Sequence, residues 1–505
     1  MPTLKTTFAG IECINPFWLA SAPPTNCGEQ IMRAFDAGWG GAVWKTIGEP
    51  ITNVSSRYSS LDWNGQRMIG FNNIELISDR PIDVNLREIA EVKRRYPKHV
   101  VIASLMVESN RTTWHEMVQR AEDAGADGLE LNFGCPHGMS ERGMGSAVGQ
   151  VPEYCERITG WVKEKARTPV IVKLTPNISD IRLPARAAKR GGADALSAIN
   201  TINSITGIDL NTLEPRPMVD GKSSHGGYCG PAVKPIALNM VQQVMSDPTA
   251  ALPMSGIGGI GSWQDAAEFI LLGAGTVQVC TAAMHYGYRI VEDMADGLLD
   301  WMEQKGYETL DDFCGLSLPK MREWKNLNLN YRVVAEIHAD KCIGCQLCYT
   351  ACWDGAHQCI HLDRAEGGAE SPVLGTDPRY VVHQPNPHGK PTPAMMQAQS
   401  AKTISTTPIP KLDMNGAGSN NAVTPLHRIP RVDVDECVGC NLCALVCPVE
   451  DCITMERIDD PNRTPQTWAE RVASGTCPTD GNDPNPGSPN HHSDMYPKTG
   501  IIYGS

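Results

Sequence analysis

The sequence lacks the features that would assign it to a membrane or to nucleic acid. No uninterrupted apolar run approaches the 18 residues that suggest a transmembrane helix. The first ten residues do not show the basic-then-apolar order of a signal peptide. Basic residues are also too few to favour an anionic partner, because 44 Lys and Arg stand against 57 Asp and Glu, a net charge of −13. We therefore expect a cytoplasmic protein that binds neither nucleic acid nor a membrane.

The length and composition indicate a globular protein of several domains. At about 100–200 residues per domain, 505 residues suggest two to four domains. Apolar residues make up 41% and charged residues 20%, which argues against disorder of the whole chain. The 18 cysteines favour metal binding or catalysis over disulfides, because a cytoplasmic compartment is reducing.

Residues 1 to about 310 alternate short apolar segments with amphipathic helical ones. Strands are predicted at residues 17–20, 41–45, 100–105, 128–132, 170–174, 195–199, 252–255 and 276–279. Glycine precedes several of these strands, at Gly38, Gly125, Gly192 and Gly273, where a left-handed residue ends a helix. Eight such units predict an α/β fold, a (β/α)8 TIM barrel. A doubly wound open sheet is the alternative.

A duplicated cysteine motif is the strongest signal in the chain. The spacing Cys-x2-Cys-x2-Cys-x3-Cys occurs at Cys342, Cys345, Cys348 and Cys352 and again at Cys437, Cys440, Cys443 and Cys447. In bacterial two-cluster ferredoxins the fourth cysteine of each motif ligates the other cluster. The motif therefore predicts one [4Fe–4S] cluster on Cys342, Cys345, Cys348 and Cys447, and a second on Cys437, Cys440, Cys443 and Cys352. Zinc is the alternative, but it usually takes separated cysteine pairs.

Two further cysteines lie near these motifs without matching their spacing. They are Cys359 and Cys452, and we interpret them as buried packing residues.

Polar residues follow the ends of several predicted strands. The positions are Ala20 and Ser21, Lys45 and Thr46, Asn132, Lys173, Asn200 and Thr201, and Cys280 and Thr281. Because the carboxyl ends of the strands carry the active site of a TIM barrel, we expect one site there. Lysines at the ends of two apolar strands indicate an anionic or electron-rich ligand.

A glycine-rich segment follows predicted strand seven. Gly256, Gly258 and Gly261 match the dinucleotide fingerprint G-x-G-x-x-G. That fingerprint requires an acidic residue about 20 positions later, whereas residues 275–281 contain none. We therefore favour the phosphate of a mononucleotide, approached by the backbone of this loop. A dinucleotide is the alternative.

The loop after predicted strand four, residues 132–145, is rich in glycine and is predicted to be an active-site lid. Cys135 lies in this loop. A thiol with the ordinary pKa of about 8.5 is protonated near pH 7 and can act as a general acid. Packing is the alternative role.

These motifs give the chain a resemblance to the dihydropyrimidine dehydrogenase family. Residues 1 to about 315 resemble its FMN barrel, itself similar to dihydroorotate dehydrogenases, through segments 73–78, 135–145, 173–177 and 230–238. The ferredoxin motifs follow the barrel as in the bacterial iron–sulfur/FMN subunit.

Together the patterns predict the domain organisation. The FMN barrel spans residues 1–315, followed by a linker at 316–335. Residues 336–358 and 431–456 form a ferredoxin-like α+β domain with two clusters. An insertion at 359–430 and a tail at 457–505 depart from the family.

The resemblance also implies roles for the barrel residues. Pyrimidine would be bound by Asn73, Asn132, Asn200 and Thr201, and by Glu75 through backbone groups. FMN would be held by Ala20, Ser21, Lys45, Thr46, Asn132, Lys173, Thr201, Gly230, Gly258, Gly259, Cys280 and Thr281. The implied reaction is the reversible reduction of uracil or thymine to 5,6-dihydropyrimidines, with hydride from FMN N5 to C6 and a proton from Cys135 to C5.

The sequence shows no convincing FAD or NAD(P) fingerprint, so the electrons need another source. We expect NAD(P)H and FAD to bind only a separate flavoprotein subunit, which carries FAD and iron–sulfur groups and forms a hetero-oligomer with this chain. One alternative is a dihydroorotate-dehydrogenase-like oxidoreductase acting on another cyclic imide. Such a carboxylate substrate would require a further cation beside the asparagines, and none is assigned. The other alternative is a non-catalytic electron-transfer module.

Overall fold

The computed structural model describes residues 2–49, 56–136, 143–362, 430–458 and 465–475. Most of the predicted insertion and tail, and residues 137–142 of the predicted lid, lie outside the described residues. The chain divides into two units, Met1–Met321 and Arg322–Ser505.

In the described part of the first unit, eight parallel strands close into a barrel. They are β1 Phe17–Leu19, β2 Gly41–Val43, β3 Val100–Leu105, β4 Gly128–Asn132, β5 Val170–Lys173, β6 Ala195–Ala198, β7 Met254–Ile257 and β8 Ala274–Val279. Each strand pairs with its neighbours in sequence, and β8 pairs with β1. The predicted TIM barrel is confirmed, and the open sheet was the wrong alternative.

A helix follows each barrel strand. These helices are α1 Gly28–Asp36, α2 Ile82–Arg95, α3 Arg111–Asp123, α4 Pro152–Lys163, α5 Arg182–Arg190, α6 Lys234–Met245, α7 Trp263–Leu271 and α8 Ile290–Lys305. Shorter helices span Ser146–Gly149 and Thr281–Tyr286. The glycines predicted to end α1, α3, α5 and α7 all have positive φ, from 89° to 111°, which a side chain disfavours. Among the described residues, none of the helices has both the length and the apolar character of a membrane span.

The amino-terminal end of the barrel is filled with apolar side chains. A hairpin of Thr6–Phe8 and Ile11–Cys13 contributes Phe8, whose ring meets Trp18 edge-on at 5.4 Å. Val43, Val100 and Ile171 belong to the same buried cluster. Apolar side chains therefore close this end of the barrel, and polar chemistry is expected at the opposite end of the strands.

Loops of the first unit form two further antiparallel sheets outside the barrel. A four-stranded sheet contains Tyr58–Trp63, Gln66–Asn73, Ile202–Ser204 and Gly226–Cys229, and a two-stranded one joins Gly207–Ile208 to Pro215–Arg216. The first hairpin turns at Asn64 and Gly65, both with positive φ, as tight hairpin turns require. The sequence analysis did not predict this sheet.

Strand β7 differs from its predicted position. It runs over Met254–Ile257 rather than 252–255, so Gly256 lies inside the strand. A Cβ on Gly256 would come within 2.5 Å of Phe269 in α7. Gly256 is therefore required for helix packing, and the G-x-G-x-x-G match does not describe one continuous loop.

The second unit is an interleaved pair of repeats. The strand Arg332–Ile337 pairs with Ile453–Ile458, and Ile360–Leu362 pairs with Pro430–Val432, so each small sheet takes one strand from each repeat. Helices span Leu347–Gly355, Leu442–Leu445 and Trp468–Ala473. The buried core of this unit is rich in cysteine, and the predicted α+β ferredoxin-like fold is confirmed.

Candidate active site and cluster sites

A cavity of about 390 Å³ opens at the carboxyl ends of the barrel strands. Its volume is in the range of small-molecule sites, about 300–1,000 Å³. Every barrel residue that the sequence analysis assigned to substrate or cofactor lines it: Ala20, Ser21, Lys45, Thr46, Asn73, Glu75, Asn132, Cys135, Lys173, Asn200, Thr201, Gly230, Gly258, Gly259, Cys280 and Thr281. The structure thus brings these residues together, while their individual roles remain predictions.

Three carboxamide side chains that line the cavity are held in place by hydrogen bonds. Asn200 Nδ2 donates to Asn132 Oδ1 at 2.9 Å, and Asn132 Nδ2 donates to Thr46 Oγ1 at 2.9 Å. Asn73 Nδ2 donates to the Gly227 carbonyl at 3.1 Å. A carboxamide offers two donor hydrogens and two acceptor lone pairs. Each of these three Nδ2 groups makes one of the bonds above and keeps a second N–H that a ligand carbonyl can accept. The oxygens are more occupied, since Asn132 Oδ1 also accepts the backbone N–H of Gly134 at 3.3 Å and Asn200 Oδ1 accepts that of Thr201 at 2.8 Å.

Glu75 lies between two cations. Its carboxylate accepts a hydrogen bond from Lys45 Nζ at 3.0 Å and another from the Arg57 guanidinium. The Lys45 and Glu75 side chains are only 7% and 9% exposed, so water screens their attraction poorly. The sequence analysis assigned Glu75 only backbone contacts; the structure shows that its carboxylate also fixes the Lys45 ammonium.

A second buried ion pair lies at the level of Lys173. Lys173 Nζ is 3.8 Å from Glu130 Oε1, and Glu130 Oε2 accepts hydrogen bonds from Ser197 at 2.8 Å and Gln278 at 3.2 Å. Gln278 Oε1 has no hydrogen-bond partner among the described residues, although this side chain is buried and lines the cavity. Buried polar atoms are normally paired, so this oxygen favours a polar ligand in the cavity.

Glycines shape the loop after β7 and the turn that precedes α6. Gly258 and Gly259 of the loop have φ values of 132° and 75°, and Gly230 of the turn has a φ of 92°. A Cβ on Gly258 would lie 2.6 Å from the Cβ of Ala237, and one on Gly259 would lie 2.8 Å from the Cβ of Lys234. Only glycine fits here, and its bare backbone can come close to a phosphate group.

Gly261, the last glycine of the G-x-G-x-x-G match, uses its backbone N–H in a helix cap. The backbone N–H of Gly261 donates to Asp265 Oδ2 at 2.9 Å, as part of the cap of α7 that also includes Ser262. The candidate phosphate cradle is therefore Gly258 and Gly259 beside Gly230, without Gly261.

Cys135 lies in the cavity wall and is 5% exposed. Its Sγ lies 3.6 Å from the carbonyl oxygen of Leu76. A thiol at this position can deliver a proton to a ligand in the cavity without opening onto bulk water.

Two other thiols line the same cavity. Burial raises the pKa of Cys229 to about 11, and burial likewise raises the pKa of Cys280. Burial thus disfavours the thiolate, which is the nucleophilic form, at both positions.

Sequence reasoning missed the contribution of the hairpin sheet. Tyr58, Arg67 and Tyr228 all line the cavity. The Asn64-Gly65 dipeptide, a strong hairpin signal, was the clue to this sheet. The sequence analysis assigned no further cation beside the asparagines, and the structure adds the Arg67 side chain, 83% exposed, to the lining of the cavity.

Two cavities of the second unit each gather four motif cysteines. One is lined by Cys342, Cys345, Cys348 and Cys447, and the other by Cys352, Cys437, Cys440 and Cys443. This is the crossed grouping that the motif spacing predicts, with the fourth thiol supplied by the other repeat. Four thiols around a small cavity fit a [4Fe–4S] cluster, and ligation itself remains a prediction.

Comparisons with known proteins agree with this architecture. Residues 3–302 match the family model of dihydroorotate dehydrogenase, and residues 338–450 match that of the 4Fe-4S dicluster domain. The NAD-dependent dihydropyrimidine dehydrogenase subunit PreA of Escherichia coli (strain K12) is 48% identical over 359 residues, which is 71% of this chain and 87% of the relative.

Two other relatives match a little under two thirds of this chain. The chloroplastic dihydropyrimidine dehydrogenase (NADP(+)) of Arabidopsis thaliana is 45% identical over 329 residues, 63% of this chain and 77% of the relative. The catalytic subunit of dihydroorotate dehydrogenase B (NAD(+)) from Pyrococcus abyssi is 36% identical over 324 residues, 62% of this chain and 99% of the relative. The chain therefore belongs to the dihydropyrimidine dehydrogenase family of oxidoreductases, and it joins a dihydroorotate dehydrogenase barrel to a 4Fe–4S dicluster domain.

Proposed function

We propose that the barrel reduces the C5=C6 bond of uracil or thymine, reversibly, to the 5,6-dihydropyrimidine. The observation that carries this proposal is the single cavity in which oriented carboxamides and the Cys135 thiol meet. The names of the Escherichia coli and Arabidopsis thaliana relatives support the same reaction class.

The carboxamides would recognise the pyrimidine ring. A cyclic imide presents C=O, N–H and C=O groups in order, and an asparagine side chain can both donate to and accept from such an edge. Because Asn132 is fixed by Thr46 and Asn200, and Asn73 by Gly227, the ring would bind without much loss of side-chain freedom.

The cavity fits FMN in its polar and its phosphate-binding parts. The Gly258–Gly259 backbone with Gly230 would approach the phosphate, and Ser21, Thr46 and Thr281 add hydroxyls. Lys45 and Lys173, with the unpaired Gln278 carbonyl, would face the polar edge of the ring system. When bound, FMN supplies the hydride that reaches C6 from its N5.

Cys135 would supply the proton to C5. Reduction of the double bond adds one hydride and one proton, so a positioned acid is required at the second carbon. The thiol is held in the wall beside Leu76, shielded from bulk water, and it would be reprotonated after each turnover.

The dicluster domain would bring in electrons one at a time through the two cysteine groups. We place NAD(P)H and FAD on a separate flavoprotein subunit. The Escherichia coli relative is itself named as a subunit, which supports a hetero-oligomer.

One observation favours a second candidate. Arg67 lines the cavity and could pair with a carboxylate, as an orotate-type substrate would need. Arg67 also lies 3.7 Å from Asp62, which partly neutralises it. Arg67→Gln separates the candidates: it would weaken an anionic substrate and leave uracil unaffected.

Substrate turnover by the intact holoprotein tests the proposal. The protein is reduced through a dithionite-driven mediator and offered uracil, thymine or orotate, while loss of ring absorbance is followed. We expect uracil and thymine to be consumed. Consumption of orotate alone would favour the dihydroorotate dehydrogenase-like alternative, and reduction of the clusters with no ring consumed would favour a pure electron-transfer module.

A further inference from the structure

Each cluster cavity is lined by a fifth cysteine. Cys359 lines the cavity of Cys352, Cys437, Cys440 and Cys443, and Cys452 lines that of Cys342, Cys345, Cys348 and Cys447. Both fifth thiols are buried, at 4% and 2% exposure. In each cavity, the fifth cysteine comes from the repeat that supplies the fourth one.

The fifth thiols face the predicted ligands. Cys359 Sγ lies 3.6 Å from Cys352 Sγ, within range of an S–H···S hydrogen bond, and it also interacts with Cys437. Cys452 interacts in the same manner with Cys447 and Cys342. If Cys359 and Cys452 only filled space, neither sulfur would need to contact two of the predicted ligand cysteines of its cavity.

The backbone holds both thiols by the same device. The Cys359 carbonyl accepts the N–H of Asp433 at 2.7 Å, and the Asp433 carbonyl accepts the N–H of Cys437 at 3.0 Å. In the other repeat, the Cys452 carbonyl accepts the N–H of His338 at 2.9 Å, and the His338 carbonyl accepts the N–H of Cys342 at 3.1 Å. Each fifth cysteine is thus tied, through one residue, to the first cysteine of its own cavity. Because the same two hydrogen bonds occur in both repeats, the position of the fifth cysteine is a shared feature of the two cavities and not an accident of local packing.

We propose that Cys359 and Cys452 are positioning residues whose thiols donate hydrogen bonds to cluster-bound cysteine sulfurs and so raise the reduction potential of each cluster. The inference rests on the proposed cluster ligands. Hydrogen bonds to the sulfurs are among the determinants of cluster potential, because a donor stabilises the more negative reduced state. Cys359 acts on the cluster that contains Cys352, and Cys452 acts on the cluster that contains Cys447.

The test is a redox titration of the intact holoprotein followed by electron paramagnetic resonance. Iron and sulfide are measured first in the wild type and in Cys359→Ala, Cys452→Ala, and the matching serine variants. We expect full iron in all of them. Cys359→Ala should lower the equilibrium constant for reduction of one cluster about tenfold, which is about 59 mV for one electron, and leave the other cluster unchanged.

Cys452→Ala should give the converse pattern. Serine should restore part of each shift, because a hydroxyl also donates. Cys155→Ala is the matched control, since Cys155 is a fully buried thiol of the barrel, and it should move neither potential. If an alanine variant does not fold, valine fills the volume without a donor and allows the same comparison.

The outcomes are distinguishable. If the alanine variants keep full iron and unchanged potentials, the positioning role is refuted, while the assignment of the eight ligand cysteines is unaffected. Loss of a cluster in Cys359→Ala but not in Cys352→Ala would make Cys359 a ligand and overturn both assignments for that site. A wild-type protein without two four-iron clusters would refute the proposed clusters themselves.

Discussion

Replacement of Cys135 by alanine should separate catalysis from folding. The thiol is one buried side chain in a cavity wall, and removing one such atom costs about 1 kcal/mol of stability. Loss of a general acid costs about 10²–10⁴-fold in rate. At about 1.36 kcal/mol per factor of ten, that is about 2.7–5.4 kcal/mol in the activation barrier. The kinetic effect should therefore exceed the effect on stability, with flavin and iron contents unchanged.

Single-turnover reoxidation of the prereduced holoprotein by uracil measures this effect. Cys135→Ser should keep part of the rate, because a hydroxyl donates but is the weaker acid. Cys155→Ala is the control. Cys155 is also fully buried, but its Sγ lies between helices α4 and α5, 3.5 Å from the Pro184 carbonyl, so its loss should leave the rate near wild type. Reoxidation of Cys135→Ala within about threefold of wild type, well short of the factor expected for a lost acid, would show that another group protonates C5.

Four further predictions follow from the same geometry. The purified protein should hold about eight iron atoms, and Cys345→Ala should remove about half of them; about two irons, or stoichiometric zinc, would contradict the ferredoxin assignment. Mass spectrometry of the heat-released cofactor should find FMN. Gly259→Ala should weaken FMN binding, because the added Cβ would lie 2.8 Å from Lys234, whereas the control Gly306→Ala, which also has a positive φ but open space around it, should not. The chain alone should oxidise NADH or NADPH slowly, and adding the flavoprotein subunit should restore the rate; fast oxidation by the pure chain would reveal a nicotinamide site. Glu75→Gln should lower the free energy of unfolding by about 3–5 kcal/mol in a thermal unfolding experiment, because Lys45 is left buried beside a neutral group. The control Glu164→Gln should change it very little, because its partner Arg111 is 59% exposed.

The barrel was predictable because its signals are local. Short apolar runs and glycines at helix ends repeat along residues 1–310, and each glycine is needed for its own turn. Closure of the barrel then brings the strand ends together, whatever their separation in sequence. The register places Asn132 directly beside Lys173, for example, although 41 positions separate them. Knowing the residues at the strand ends was enough to predict which of them share a cavity.

The hairpin sheet was missed because its first strand has no buried face and no regular alternation of apolar residues. Along Tyr58–Trp63 most side chains are exposed, so neither hydrophobic alternation nor a buried run marks the strand. Only the Asn64-Gly65 turn indicates it. With the sheet missing, Arg67 and Tyr228 could not be placed in the cavity, and the contact of Arg57 with Glu75 could not be foreseen.

The structure reveals charge pairing in the site that the sequence does not show. The sequence shows lysines at two strand ends and suggests free cations, whereas the structure pairs Lys45 with Glu75 and places Lys173 beside Glu130. Paired in this way, the lysines can still donate hydrogen bonds but attract an anion less strongly than isolated cations would. In the proposed arrangement both lysines face the flavin, so their pairing tunes the cofactor site and does not select the substrate. The choice between a neutral cyclic imide and a carboxylate then depends on Arg67, which lines the cavity and lies 3.7 Å from Asp62, and this is why Arg67→Gln separates the two candidate substrates.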